Sequence, residues 1–219
     1  MMKSKKMLYL SLILFIASLV LNFPFPHESP YGETVASVLN IPVQSVNGLH
    51  YVGIASLALL IASLYFLTKS VEKYHGRVVL VAIVLALFAP SMIASSFQKT
   101  FATGIYAVSY ERDWSNCQFE MIGETTLRGE CELPFENYSR NDVQFTIEFY
   151  EKYYFEDDVL MVSLMNNNDP YEVKLKGNER KTVKIESNID VSNMENHIEQ
   201  GSSTGVNIII KSGEKIRKL

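Results

Sequence analysis

The residues of this 219-residue chain that could carry acid–base or metal chemistry are few and widely spaced. The four histidines fall in four different segments, at His27, His50, His75 and His197. That spacing argues against a shared metal site or a catalytic histidine pair. The sequence also lacks the short motifs of zinc proteases, serine hydrolases and nucleotide-binding loops. We therefore predict that the protein is not an enzyme and uses no metal and no cofactor.

The densest cluster of chemically useful side chains lies at 149–158. Five aromatic residues occur within seven positions, and acidic residues follow them directly. Exposed aromatic side chains bind partner proteins or glycans, whereas at a strand end they fill the core. Both roles stay open at this point. The predicted interaction surface consists of Tyr150, Tyr153, Tyr154, Phe155, Asp157 and Asp158.

Oxygen-bearing side chains in the same region are of the type that binds Ca²⁺. They comprise Glu151, Glu156, Asp157 and Asp158, followed by Asn166, Asn167, Asn168 and Asp169. Their spacing matches no EF-hand loop, and a solvated turn explains them more simply. No metal site is predicted here.

The two cysteines, Cys117 and Cys131, are fourteen residues apart and flank a predicted hairpin through Gly123. No zinc-binding spacing is present. We predict a disulfide between them, and the alternative is a pair of reduced thiols. A glycosylation sequon, Asn137-Tyr138-Ser139, lies nearby and has meaning only in a eukaryotic secretory route.

Three long apolar runs precede these residues, and each is long enough to cross a bilayer. They predict membrane spans near 7–25, 48–68 and 78–98, within a membrane domain of residues 1–100. The first run could instead be a signal peptide, but it ends in Asn-Phe-Pro-Phe-Pro and not in a small-x-small cleavage site. Two pairs of small residues, Ala58/Ala62 and Ala82/Ala86, would allow close helix contacts.

The basic residues predict how these spans are oriented. Three Lys/Arg precede the first span, none lies between the first and second, and three lie between the second and third. Cytoplasmic loops are enriched in Lys and Arg, so the N-terminus is predicted inside and the chain after Lys99 outside the plasma membrane. No Asp, Glu, Lys or Arg lies within a span, which argues against a pump, channel or proton-coupled transporter.

From Phe101 onward the pattern changes to short alternating segments separated by turn residues. Val143–Phe149 alternates strictly between apolar and polar residues and is the clearest strand. The further predicted strands are 105–110, 117–122, 127–135, 159–165, 171–175, 182–185 and 205–211. This pattern predicts an all-β antiparallel sandwich over residues 101–219, immunoglobulin-like in size.

Charge excludes one class of partner. From Lys99 onward there are 14 Lys/Arg and 21 Asp/Glu, a net charge of −7, whereas nucleic-acid binding needs a basic surface. The predicted partners are the lipid bilayer and another membrane or envelope protein.

We therefore predict a multi-pass membrane protein that serves as an accessory or interaction subunit of an envelope complex. The alternative is a sensory or ligand-binding module that takes an ion or glycan at 149–158. A membrane enzyme is the third hypothesis, and its candidate residues would be His27, Glu28, Glu33 and His50.

Overall fold

A computed structural model describes residues 3–43, 49–151, 161–168, 170–194 and 198–219. The chain forms two compact units, Met1–Ser96 and Phe97–Leu219. Each unit is described separately below.

The first unit is helical. Its helices are α1 (Lys5–Leu21), α2 (Tyr31–Val38), α3 (Tyr51–Ser70) and α4 (His75–Thr100), and the last turn of α4 belongs to the second unit. Among the described residues, two helices, α3 and α4, are long and apolar enough to cross a membrane. The first predicted span corresponds to α1, whose 17 residues fall just short of that length.

Helices α1 and α3 pack against each other in antiparallel fashion through serine side chains. The Ser11 hydroxyl donates to the Ser63 carbonyl at 2.9 Å, and the Ser63 hydroxyl donates back to the Ser11 carbonyl at 2.9 Å. One level further along, the Ser18 hydroxyl donates to the Ser56 carbonyl at 2.9 Å. All four serines are buried. Small residues let helix backbones approach closely, and such hydrogen bonds join helices within a membrane.

The serines that make this contact recur at intervals of seven residues. On the α1 side they are the N-cap residue Ser4, then Ser11 and Ser18 within the helix. On α3 they are Ser56, Ser63 and Ser70. A seven-residue interval returns to nearly the same face of a helix every two turns. The predicted contact residue Ala58 is exposed, so the buried stripe of α3 is formed by serines.

The second unit contains nine strands among its described residues. They are β1 (Val108–Tyr110), β2 (Asn116–Met121), β3 (Thr126–Asn137), β4 (Val143–Phe149), β5 (Tyr171–Leu175), β6 (Arg180–Asp190), β7 (Gln200–Thr204), β8 (Ile208–Ser212) and β9 (Lys215–Lys218). Three short 3₁₀-helices join them: η1 (Gly104–Ala107), η2 (Arg112–Trp114) and η3 (Val162–Asn168).

The strands form two antiparallel sheets. The first sheet has the order β1-β3-β2-β7, and β6 pairs with the other edge of the long strand β3. The second sheet has the order β5-β4-β8-β9. All described pairings are antiparallel, as the sequence predicts.

Side chains of both sheets together form one hydrophobic core. Strand β4 has the bounds predicted from its alternation, and its apolar residues are all buried while the intervening ones are more exposed. The Phe135 ring of β3 meets the Phe145 ring of β4 edge to face, with centroids 5.4 Å apart. Burial of a phenylalanine side chain contributes roughly 2–3 kcal/mol, so such residues stabilise the unit strongly.

The predicted strand at 159–165 is wrong in the part that the structure describes. Residues 162–168 form η3, in which Val162 and Met165 are buried at a helical interval of three. Gly129 makes room for this helix, because a Cβ atom there would lie 2.5 Å from the Met165 sulfur. Two strands, β7 and β9, were not predicted, and the first predicted strand begins as the 3₁₀-helix η1.

Candidate functional site

The predicted interaction surface begins at the end of β4. Tyr150 is half-buried, and its N–H donates to the Asn207 carbonyl at 3.2 Å. The other five residues of this predicted surface, Tyr153, Tyr154, Phe155, Asp157 and Asp158, lie outside the described residues. The proposal that this segment binds an ion, a glycan or a protein therefore stays a prediction.

The oxygen atoms that flank this segment have structural roles. The Glu151 carboxylate accepts hydrogen bonds from the N–H groups of Val162 at 2.8 Å and Ser163 at 3.1 Å, at the start of η3. The Asn166 side chain donates to the Phe149 carbonyl at 2.7 Å and accepts from the Phe149 N–H at 2.8 Å. These bonds hold η3 against the end of β4. Among the described residues, no group of three His, Cys, Asp or Glu could hold a metal ion.

Cys117 and Cys131 form a disulfide, as the sequence predicts. The two residues lie directly opposite each other in the β2–β3 ladder. Both are fully buried within the core. The bond therefore closes the β2–β3 hairpin from inside the unit.

The sequon residue Asn137 is buried at the end of β3, and its side chain both donates and accepts hydrogen bonds. Its amide nitrogen donates to the carbonyls of Asn141 and Lys176, each at 2.9 Å. Its amide oxygen accepts from the Ser139 N–H at 3.0 Å and hydroxyl at 2.8 Å. A glycan on this nitrogen would replace one of its two hydrogens and so remove one of the donated bonds. In the folded unit Asn-Tyr-Ser is a structural turn motif.

The polar residues of the membrane-enzyme hypothesis include one close pair. The His50 imidazole, at the start of α3, lies 3.4 Å from the Glu33 carboxylate of α2. His75 begins α4, and His197 lies outside the described residues. This pair links α2 to the start of α3.

A shallow groove of about 600 Å³ runs over the outward face of the first sheet. Its floor includes Arg128 of β3, whose guanidinium lies 3.1 Å from Glu186 and 3.7 Å from Glu130. Its polar lining is completed by Gln118, Glu120, Gln200 and Ser202. The lining is polar and open to solvent, and some of its charged side chains form ion pairs with each other. These properties suit a hydrated protein interface better than an enclosed small-molecule site.

The only tryptophan of the chain projects into solvent beside this sheet. Trp114 ends η2 and is 79% exposed. The neighbouring Arg112 side chain donates to the Asn207 side-chain oxygen at 3.5 Å. Tryptophan is enriched among the residues that contribute most of the binding energy at protein interfaces.

A buried cation stabilises the start of the β unit. The Arg217 guanidinium donates to the carbonyls of Ile105 at 2.8 Å and Val108 at 2.6 Å. Burial lowers the pKa of Arg217 to about 10, so the side chain stays charged at neutral pH. Strand β9 is thereby tied to η1 and β1.

The nearby Tyr138 side chain stays protonated at neutral pH. Burial, followed by its hydrogen bond to the Glu136 carboxylate, raises the pKa of Tyr138 above its ordinary value. The Lys99 ammonium lies over this ring, 5.3 Å from its centroid.

Sequence reasoning missed three of these features. The serine contacts between α1 and α3 are indicated in the sequence by serines that repeat every seven residues. Pairs of alanine or glycine residues do not reveal them. The exposure of Trp114 and the burial of Arg217 had no signal, since both depend on the three-dimensional arrangement.

Comparison with protein-family models, with curated proteins and with solved structures found no match.

Proposed function

We propose that this chain is a multi-pass plasma-membrane protein with three spans that displays an extracellular immunoglobulin-like β-sandwich as an interaction subunit of an envelope complex. The observation that carries this proposal is the order of its elements. Two helices apolar enough to cross a bilayer come directly before a β unit that contains a buried disulfide. Disulfides persist in oxidising compartments, outside the cytoplasm.

The packing of α1 supports a third span that is retained in the mature protein. Its serines form reciprocal hydrogen bonds with α3, and the N–H of Lys3 donates to the Ser70 carbonyl at 2.7 Å. A cleaved signal peptide would leave the buried serines of α3 without these partners. A helix of 17 residues is about 26 Å long and reaches across most of a hydrocarbon core of about 30 Å.

The topology predicts which positions react with a membrane-impermeant maleimide in intact cells. Single cysteines are introduced at exposed positions, and the native cysteines stay bonded and buried. We expect labelling from outside at Ser37→Cys and Ser202→Cys, and protection at Lys5→Cys and Glu72→Cys until the cells are permeabilised. Labelling of both Lys5→Cys and Ser37→Cys in intact cells would eliminate α1 as a span, and labelling of Glu72→Cys would overturn the orientation.

The interaction role is supported by the exposed Trp114 beside a polar sheet face. An isolated tryptophan in water exposes a large apolar area that a protein partner would bury. The partner surface expected here is apolar where it meets Trp114 and polar where it meets the sheet, because the groove on the first sheet is lined by charged and amide side chains.

Photo-crosslinking in cells tests this role directly. A photoreactive amino acid at position 114 is expected to give a crosslinked product that contains another membrane or envelope protein. The same residue at Lys181, exposed on β6, is the control and should give no such product. A third position, Tyr153, tests the segment predicted from the sequence. Absence of a product at both 114 and 153 would contradict an interaction role for these surfaces.

A further inference from the structure

The last turn of α4 is built into the β unit. The Gln98 side-chain amide donates to the Val108 carbonyl of β1 at 2.8 Å. The adjacent Lys99 ammonium lies over the ring of Tyr138, 5.3 Å from its centroid. These two contacts fix the position of Lys99 relative to the first sheet.

A second cation and ring occur at the same end of the unit. The Lys215 ammonium of β9 lies over the Tyr106 ring, 5.7 Å from its centroid. Gly104, the first residue of η1, has a positive φ of 59° and lies beside this lysine. Two phenylalanines accompany the cations, and Phe97 and Phe101 are 43% and 77% exposed.

The length of α4 sets the level of these side chains in a bilayer. Its uncharged stretch, residues 78–98, is about 31 Å long at 1.5 Å per residue, close to the thickness of the hydrocarbon core. Lys99 is the first charged residue after this stretch. Its ammonium is therefore expected among the lipid headgroups, where aromatic side chains are also enriched.

We propose that a collar of two lysines and four aromatic residues binds the phosphate groups of anionic lipids in the leaflet where α4 ends. The collar consists of Phe97, Lys99, Phe101, Tyr106, Tyr138 and Lys215. This inference rests on the proposed function, since it requires α4 to span the membrane. The ring below each ammonium holds it in place, and the N–H donors on the far side face the phosphate oxygens.

Charge complementarity favours anionic lipid as the occupant. The chain from Lys99 onward has a net charge of −7, so an anionic bilayer would repel the unit as a whole. Acidic residues stand at both ends of β3: Glu124 and Asp190 at the hairpin end, and Glu136, whose carboxylate is hydrogen-bonded to Tyr138, at the collar end. Attraction of an anionic headgroup therefore depends on the two ammonium groups that the rings hold in place, Lys99 and Lys215.

Hydrogen–deuterium exchange of the full chain in lipid nanodiscs tests the collar. Zwitterionic nanodiscs are compared with nanodiscs that contain phosphatidylglycerol. We expect amides at 104–107 and 213–216 to exchange more slowly with anionic lipid, by about fivefold for each lysine engaged. The difference should disappear in 1 M salt, which screens exposed charges.

Two double variants with the same change in net charge distinguish the effect of the collar lysines from the effect of the overall charge. Lys99→Gln with Lys215→Gln should abolish the effect of anionic lipid, whereas Arg128→Gln with Lys184→Gln changes net charge equally and should retain it. Unchanged protection of β4 (143–149) shows that each variant is folded. Equal exchange in both lipids for the wild-type chain overturns the collar. If Ser202→Cys labels from outside in that case, the collar alone fails; if it labels only after permeabilisation, the proposed orientation fails as well.

Discussion

Replacement of both Cys117 and Cys131 by alanine is expected to lower the free energy of unfolding of the β unit by about 3 kcal/mol. The bond joins two residues that are fourteen positions apart in the sequence, which restricts the unfolded chain. Both sulfurs are buried between the sheets, so alanine also leaves a small cavity that adds to the loss. The native hydrogen-bonded ladder of β2 and β3 stays available to the variant.

Pulse proteolysis of the full chain in detergent and urea measures this change. With a urea m-value of about 1–3 kcal/mol/M, the unfolding midpoint should fall by about 1–3 M. Addition of a thiol reductant to the unfolding reaction is the control: it should lower the midpoint of the wild-type chain and leave that of the double variant unchanged. A wild-type midpoint that equals that of the variant without reductant would show that the bond does not stabilise the fold.

The antiparallel sheets could be predicted wherever apolar and polar residues alternate. Strand β4 has the bounds that its sequence predicts, because four apolar residues alternate with three polar ones. Strand β5 was predicted for the same reason. Alternation is a local property, and it is visible before any partner strand is known.

The missed strands lack that signal. Strand β7 has the sequence Gln-Gly-Ser-Ser-Thr and forms because β2 offers it a hydrogen-bonding edge. Strand β9 contains one buried residue, Arg217, whose charge suggests solvent exposure. In both cases long-range pairing, which a single segment does not encode, determines the structure.

The error at 159–165 has a related cause. A short apolar run is compatible with a strand or with a helical turn. Here Val162 and Met165 point into the core from η3, and the side chains of Glu151 and Asn166 supply the hydrogen bonds that hold the turn. Two of the residues whose oxygen atoms suggested a cation site, Glu151 and Asn166, therefore stabilise this turn.

In the helical unit, the contact between α1 and α3 could not be predicted from hydropathy. Hydropathy identifies apolar runs but treats serine as neutral, so it does not reveal that Ser11 and Ser63 bond to each other across 52 residues. The spacing of seven residues predicts a common face on each helix. Which faces meet depends on the antiparallel path of α1 and α3, which only the structure shows.

The second large effect is expected at Asn137, where a single side chain joins three segments. It links the end of β3 to the 138–142 turn and to the β5–β6 turn at Lys176. The two turns are in close contact, since a Cβ atom at Gly177 would lie 2.2 Å from the Arg140 carbonyl oxygen. The same turn places Tyr138 under the Lys99 ammonium.

Asn137→Ala is expected to lower the free energy of unfolding by about 2–4 kcal/mol, because it leaves buried hydrogen-bonding groups without partners. Asn137→Asp keeps the shape of the side chain but replaces the donating nitrogen by an oxygen that faces two carbonyls. It should therefore destabilise the unit at least as much at neutral pH.

The same urea and proteolysis measurement compares these variants with Asn188→Ala, an exposed asparagine of β6 that should change stability by less than about 0.5 kcal/mol. If hydrogen bonding is the cause, the aspartate variant is as unstable as the alanine variant despite its nearly native volume. If Asn137→Asp were as stable as the wild-type chain, Asn137 would contribute through packing alone. The Asn-Tyr-Ser motif would then lose its role as the polar junction between the two turns.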